Sequence, residues 1–302
     1  MVQSVEFGQF LRSRRDRLCP EEVGLPPDPR PRRVRGLRRQ EVAQLAGVST
    51  EYYTRLEQGR GGNVSESVLT AIATALRLDA IERGHLFDLG GMNNGVRRPP
   101  LPQRVHPGWH RLLDSLALPA FVLGRRMDVL ASNPIARLLL TDFDALPPRE
   151  RNFARFMFLD PAARSLCRDW AEVAAETVAI LRLDAGRHPG DRQLEELVTE
   201  LAAGSPEFAR WWADQRVSER TRGTKRYRHP VVGDLTVDYE AMQSPGDPDM
   251  SLFVYSAEPG STSERALREL ARRALAAEPI ECAPGQVTTG PHAQSAPPHG
   301  LP

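Results

Sequence analysis

Apolar positions in the first ninety residues recur three and four apart, the spacing that lines up one face of a helix. "SVEFGQFLRSRRDRL" puts Phe7, Phe10, Leu11 and Leu18 on such a stripe, with its arginines expected on the opposite face. The proline-broken stretch "CPEEVGLPPDPRPRRVRGL" reads as a loop. Four further helical patterns follow: "RRQEVAQLAG", "STEYYTRLEQG", "SESVLTAIATALRL" and "DAIERGHLFDLGG". The last opens with Asp79 three residues before Glu82, the spacing of a capping box, and stops in glycines. Five helices are predicted over residues 4–90.

"GMNNGVRRPPLPQRVHP", residues 91–107, has the composition of a linker. Beyond it the pattern becomes mixed. "AFVLGRRMDVLASN" predicts two short strands around a Gly-Arg-Arg turn, with Asn133-Pro134 opening a helix. "DPAARSLCRDWAEVAAETVAILRLDAG" predicts one long helix capped by Asp160, and "DRQLEELVTELAAGSPEFARWWADQRV" predicts two helices broken at Gly204. "KRYRHPVVGDLTVDYEAMQS" alternates like a hairpin turning at Val231–Asp234, and "SLFVYSAE" is a further strand. "SERALRELARRALAAEP" either forms a last helix or frays, and the Pro/Gly-rich tail after it is too poor in apolar residues to fold. The division read from these shifts is an all-α domain at 1–90, a linker at 91–107, an α+β domain at 108–260, and a C-terminal helix and disordered tail at 261–302.

The tight junction "AGVSTEYYTRLEQG", residues 46–59, has the form of a helix-turn-helix. Ala43 leaves room for the second helix, and Gly47 supplies the positive φ of the turn. Val42, Leu45, Val48, Tyr53 and Leu56 are assigned to the core. Ser49 caps the second helix, and Glu51 suits the positive end of its dipole. Thr50, Glu51, Tyr52, Thr54 and Arg55 then remain on the outer face. That set can read a major groove: Arg pairs with guanine, Glu accepts from cytosine, and the Thr methyl packs on thymine. A surface ion pair between Glu51 and Arg55, four apart, is the plain alternative.

Charge adds a second sign of nucleic acid. The net charge of the chain is +1, but residues 1–60 hold twelve arginines against eight acids. Arg30, Arg32, Arg33, Arg35, Arg38 and Arg39 fall between Asp28 and Glu41 with no acid among them, which suits either a DNA arm or a solvated loop. Three scattered cysteines make neither a disulfide framework nor a zinc cluster. The N-terminus lacks a signal-peptide core and no window is apolar enough to span a bilayer, so a soluble cytoplasmic protein with no membrane partner is expected.

"QEVAQLAGVSTEYYTRLEQGR" followed by "SESVLTAIATALRL" resembles the Cro/C1-type (XRE) helix-turn-helix domain of bacterial repressors over residues 4–89. The resemblance implies double-stranded DNA as partner. Arg38, Arg39 and Arg60 would hold phosphates, while Ser49, Thr50, Glu51, Tyr52, Thr54 and Arg55 would form the groove-facing set. Glu57 would pair inside the domain with Arg15 or Arg14. Two features depart from the family: Tyr53 stands where Val or Ile is usual, and the segment joining the first two helices is longer.

The second domain offers thin chemistry of its own. His229, Asp238 and Glu240, or His188 with Asp191, can be assembled into acid–base sets, but no nucleophile, phosphate loop or metal motif accompanies them. No catalytic residue, metal or cofactor is assigned, and no enzyme activity is expected. "PAFVLGRRMDVLASNPIARLLL", "RNFARFMFLDPAARSLCRDW", "SPEFARWWADQRV" and "GTKRYRHPVVGDLTVDYE" look like the ligand-binding domain of the MmyB-like transcription regulators over about 106–258. That resemblance implies a PAS-like fold and a small apolar, fatty-acid-like ligand. Phe121, Leu130, Asn133, Phe156, Trp170 and Tyr239 are candidates to line its pocket, and Arg151, Asn152 or Arg226 to hold a carboxylate. The combined expectation is a one-component, homodimeric transcription regulator. The alternative is an antitoxin-like interaction module that autoregulates through its helix-turn-helix.

Overall fold

The computed structural model describes residues 2–26, 36–92, 102–219, 221–244 and 246–277. The arginine-rich segment 27–35, which contains Arg30, Arg32, Arg33 and Arg35, lies outside them, as does the tail after 277. Among the described residues the N-terminal domain consists of α1 (Val2–Arg17), α2 (Arg39–Leu45), α3 (Thr50–Glu57), α4 (Glu66–Ala75) and α5 (Ala80–Leu89). Their starts follow from short polar side chains that satisfy otherwise unpaired N–H groups. Ser49 accepts from Tyr52 N–H, and Asp79 accepts from Glu82 N–H while Glu82 bonds back to Asp79 N–H. Gly47 takes φ +65° between α2 and α3, a conformation that costs other residues free energy.

Phe10, Leu11, Leu37, Val42, Tyr53, Leu56, Leu69, Ile72 and Leu86 form the core of this domain. The backbones of α1 and α3 nearly touch: a Cβ on Gly8 would lie 2.2 Å from the Glu57 carbonyl oxygen. Two expectations fail here. Leu45 is 37% exposed, and Ala46 takes its place inside, because Val42, Ala43 and Ala46 share the stripe at i, i+1 and i+4. Arg14 and Arg15 are buried rather than outward, since they follow Phe10 and Leu11 by one helical turn and so share their face.

The second domain is built on a five-stranded antiparallel sheet. Its strands are β1 (Ala120–Leu123), β2 (Val129–Ser132), β3 (Arg222–His229), β4 (Gly233–Ser244) and β5 (Asp247–Ser256), in the order β2-β1-β5-β4-β3. This is the PAS-like α+β arrangement. One face carries α6 (Pro107–Ser115), which packs Leu113 and Trp109 over Ala120, Val122, Met250 and Leu252. The other face holds the main core. It is covered by α7 (Pro134–Leu139), α8 (Phe153–Leu159), α9 (Pro161–Leu166), α10 (Trp170–Arg187), α11 (Arg192–Gly204), α12 (Pro206–Ala213) and α13 (Thr262–Ala277). The segment "SERALRELARRALAA" thus forms a helix, burying Leu267, Leu270 and Ala274.

The long helix expected from Asp160 onward is two helices. Between α9 and α10 the chain runs along the edge of the sheet, where Arg168 N–H donates to the Arg226 carbonyl at 2.9 Å and Cys167 bridges Tyr227. Pairing with an otherwise open strand edge outweighs two further turns of helix. Gly204 does end α11, and Ser205 caps α12 by accepting from Phe208 N–H. No helix among the described residues is long and apolar enough to cross a membrane.

The two domains are docked. Arg14, Ser13 and Arg17 of α1 donate to carbonyls at 214–215, and α5 lies against α10. Val217 adds to the core of the first domain.

Candidate functional site

The outer face of α3 is open with both domains in place. Thr50, Glu51 and Arg55 are exposed, as are the cap Ser49 and Arg60, while Tyr52 and Thr54 are half-buried. The Arg55 guanidinium lies 5.7 Å from the centre of the Tyr52 ring, a cation–π contact that draws Arg55 along the helix. Arg38 is half-buried just before α2, and Arg39 opens α2 with its side chain 42% exposed.

The inner face explains why α3 stays in place. Glu57 has no exposed side-chain surface, and its two carboxylate oxygens take one arginine each: Oε1 accepts from Arg15 Nε at 2.6 Å and Oε2 from Arg39 Nε at 2.7 Å. Arg15 also donates to the Leu37 carbonyl at 2.7 Å. Burial alone would lower the Arg15 pKa, but its hydrogen bond to Glu57 and the neighbouring charges leave it raised. Burial, then the Glu57 charge, pushes the Tyr53 phenol well above its ordinary range, so the ring enters the core neutral. Three elements therefore converge on one carboxylate, and the Arg39 side chain remains partly exposed. Arg14 goes elsewhere, to Glu82 at 3.2 Å and to the Gln215 carbonyl.

In the second domain the six sequence-assigned pocket residues are spread through the packing. Phe121 stacks on Phe253 with ring centres 5.3 Å apart, Phe156 packs on Phe143 and Phe153, and Trp170 on Phe158. Tyr239 lies beside Phe253 and Tyr255. Leu130 belongs to the cluster under α6, on the other face of the sheet. Asn133 caps α7 and ties down the Leu118 carbonyl at 2.7 Å. The arginine and amide candidates for a carboxylate are occupied: Arg226 pairs bidentately with Asp169, Arg151 bonds the carbonyls of Leu146 and Asp144, and Asn152 caps α8 and bonds Asp128.

Open space lies one layer away. A cavity of about 100 Å³ has apolar walls from Leu123, Met127, Ile180, Leu183 and Phe253. Its mouth carries Arg187, Glu219, Gln243 and Asp249, and leads into a cleft of about 360 Å³ that reaches Asp88 at the end of α5. The charges around it are paired: Arg187 with Glu219 at 3.0 Å, Arg126 with Asp128 and Asp191 at 2.8 Å each, and His188 with Asp249 at 3.0 Å. Sequence reading missed this place because Leu123, Ile180 and Phe253 come from distant segments and resemble ordinary core residues.

The acid–base sets do not assemble. Asp191 is taken by Arg126, so it is not the partner of His188. The His229 Nε2 sits 2.8 Å from the Leu138 carbonyl and its Nδ1 accepts turn N–H groups, while Asp238 bonds Thr224 on the exposed face. Among the described residues no His, Cys, Asp and Glu cluster is arranged to hold a metal ion.

A helix-turn-helix with an exposed second helix, joined to an α+β domain with an apolar cavity, is the arrangement of a DNA-binding transcription regulator. Residues 105–270, more than half of the chain, match the MmyB-like transcription regulator ligand binding domain, and residues 6–86 match a helix-turn-helix domain. The chain belongs to the family of MmyB-like transcription regulators. No curated protein matches it.

Proposed function

We propose that α3 lies in the major groove of operator DNA, with Thr50, Glu51 and Arg55 addressing bases and Arg38, Arg39 and Arg60 holding phosphates. Residues 1–90 bind DNA and residues 108–260 bind the effector. The observation that carries this reading is the exposed face of α3 backed by a buried carboxylate that fixes its position. A single module of this size gains specificity by meeting two half-sites about one helical turn apart, so the working form is a homodimer. Mapping of binding sites across the genome returns the operator. Thr50→Ala/Glu51→Ala/Arg55→Ala must then lower operator affinity by at least tenfold; unchanged affinity sinks the reading.

The effector enters the cavity beside α10. Its volume is of the order of the roughly 150 Å³ that holds a benzene ring and is well below the roughly 300 Å³ of a drug-sized pocket. The cavity therefore takes a ring or a short apolar chain. Since the charges at the mouth already have partners, a neutral polar end fits there better than an ion. A fatty acyl chain fits only by running out along the cleft towards Asp88. Denaturing extraction of protein purified from its own host, followed by mass spectrometry, identifies the compound; a stoichiometric protein partner instead supports the antitoxin-like alternative.

A further inference from the structure

The helix that walls the cavity also carries the DNA-binding domain. Ile180, Leu183, Asp184 and Arg187 form one stripe of α10, on the cavity side. At 3.6 residues per turn Arg182 falls on the opposite side, while Gly186 flanks the stripe next to Leu183, at the wall of the cleft, where α10 meets α5. Gly186 is a seat. The imidazole of His85 occupies the space of its missing side chain, and a Cβ at Gly186 would lie 2.4 Å from two ring atoms.

The seam is closed but poorly satisfied. His85 is 1% exposed and stands edge-on to Phe10 at 5.0 Å, with both ring nitrogens lacking a hydrogen-bond partner. Arg14 Nε, Arg182 Nε and Gln215 Oε1 are buried at the same seam, also without partners. Against this stand specific grips. Ser13 and Arg17 donate to the Asp214 carbonyl at 3.0 and 2.5 Å, and Arg14 donates to the Gln215 carbonyl. Gln215 holds φ +55°, a conformation uncommon for a residue with a side chain. Separation would rehydrate the orphaned atoms and relax that residue, while each domain keeps its own core.

We propose that the docked arrangement is one of two working states, with the seat of His85 on Gly186 as the latch between them. A ligand in the cavity displaces α10 by the small distance the seat does not tolerate and so releases the DNA-binding domain. This deepens the effector-cavity reading above and rests on it. Because α1 and α3 are in backbone contact at Gly8 and Glu57, the recognition helix moves with the latch.

Protonation works in the same direction. Burial, with the positive Arg182 and Arg187 nearby, pushes the docked imidazole down to about 3, whereas in water it returns to its ordinary value. Acid therefore favours the released state as pH falls through the ordinary histidine range. The charges acting on His85 are those of Arg182 and Arg187 from α10; nearby, Arg14 of α1 pairs with Glu82 of α5, and Glu6 of α1 acts on Arg182. Burial raises Glu6 and Glu82, which act in the opposite sense. A His85→Leu control separates the two contributions.

The full chain is tested by small-angle scattering and hydrogen exchange. Gly186→Ala favours helix, so α10 is kept while the seat is filled. The expected result is a larger radius of gyration and faster exchange in α5 and at 214–217, with β4 and β5 still protected. Adding His85→Ala to that variant should restore docking. An unchanged single variant, or a double variant that stays open, overturns the latch. If β4 and β5 also lose protection, the wild-type chain decides between pH 7.5 and 5.5. The docking equilibrium must then shift about tenfold towards the open form, and His85→Leu must abolish the shift; a flat wild-type response overturns the proposal. These readouts contain neither DNA nor ligand, so their failure leaves the α3 and cavity readings to their own tests.

Discussion

Arg39 Nε and Glu57 Oε2 meet at 2.7 Å across eighteen residues of sequence, joining the first residue of α2 to the last of α3. The other oxygen of Glu57 holds Arg15 of α1. The carboxylate is fully buried, so the arrangement holds only while both charges are matched.

Removing the carboxylate takes the buried counter-charge from a buried guanidinium. Glu57→Ala should cost about 3–5 kcal/mol, since Arg15 keeps only the half-exposed Asp16, 2.8 Å from its Nη1. Urea unfolding followed by circular dichroism checks this. A loss under 1 kcal/mol would show that water replaces the carboxylate.

Phosphate contacts carry a salt signature that base contacts lack. Arg60→Ala should weaken binding evenly across operator variants and reduce the slope of log K against log salt by about 1. Arg55→Ala should instead relax preference at one base position, with a penalty of about 1–3 kcal/mol at the preferred base. Fluorescence anisotropy over a salt series and a set of single-base operator changes separates the two.

Filling the effector cavity should uncouple sensing from DNA binding. Ile180→Trp introduces a ring into a space of about 100 Å³. The expected outcome is loss of any ligand-induced thermal shift, with an operator affinity that no longer responds to the ligand. Retained ligand binding would place the effector elsewhere.

The His188 cluster predicts a pH dependence of opposite sign to that of the latch. Burial pulls His188 down, but its ion pair with Asp249 at 3.0 Å and the Asp184 charge leave it raised above 6.5. A raised histidine stabilises the fold fully below its unfolded pKa, and that stability is lost as pH rises through the folded value. His188→Gln should therefore cost more at pH 6 than at pH 9. Equal losses at the two pH values, measured by denaturant unfolding, would show that the ion pair contributes nothing.

Local physics made much of this chain legible. The caps Ser49, Asp79 and Asn133, the turn at Gly47 and the break at Gly204 depend on residues a few positions apart, and all of these elements stand in the structure. Helical period alone also turns Thr50, Glu51 and Arg55 outward, but not Tyr52, which lies half-buried against the core of the first domain. The failures share one cause. Cys167–Asp169 is helical by composition, yet a strand edge more than fifty residues later draws it into extended pairing. Helical period puts Arg14 and Arg15 among the surface charges because Glu82 and the Gln215 carbonyl are invisible from a single helix; only the family resemblance pointed to Glu57 as a partner.

By itself, the sequence determined the helix-turn-helix, the α+β character of the second domain and the residues α3 turns outward. Each is a matter of periodicity and short-range hydrogen bonding within one segment. Only the tertiary structure decided where the cavity lies, which arginine meets Glu57, and that His85 rests on Gly186. Those depend on distant segments meeting at a few ångströms, where burial, charge and the absence of a side chain act together.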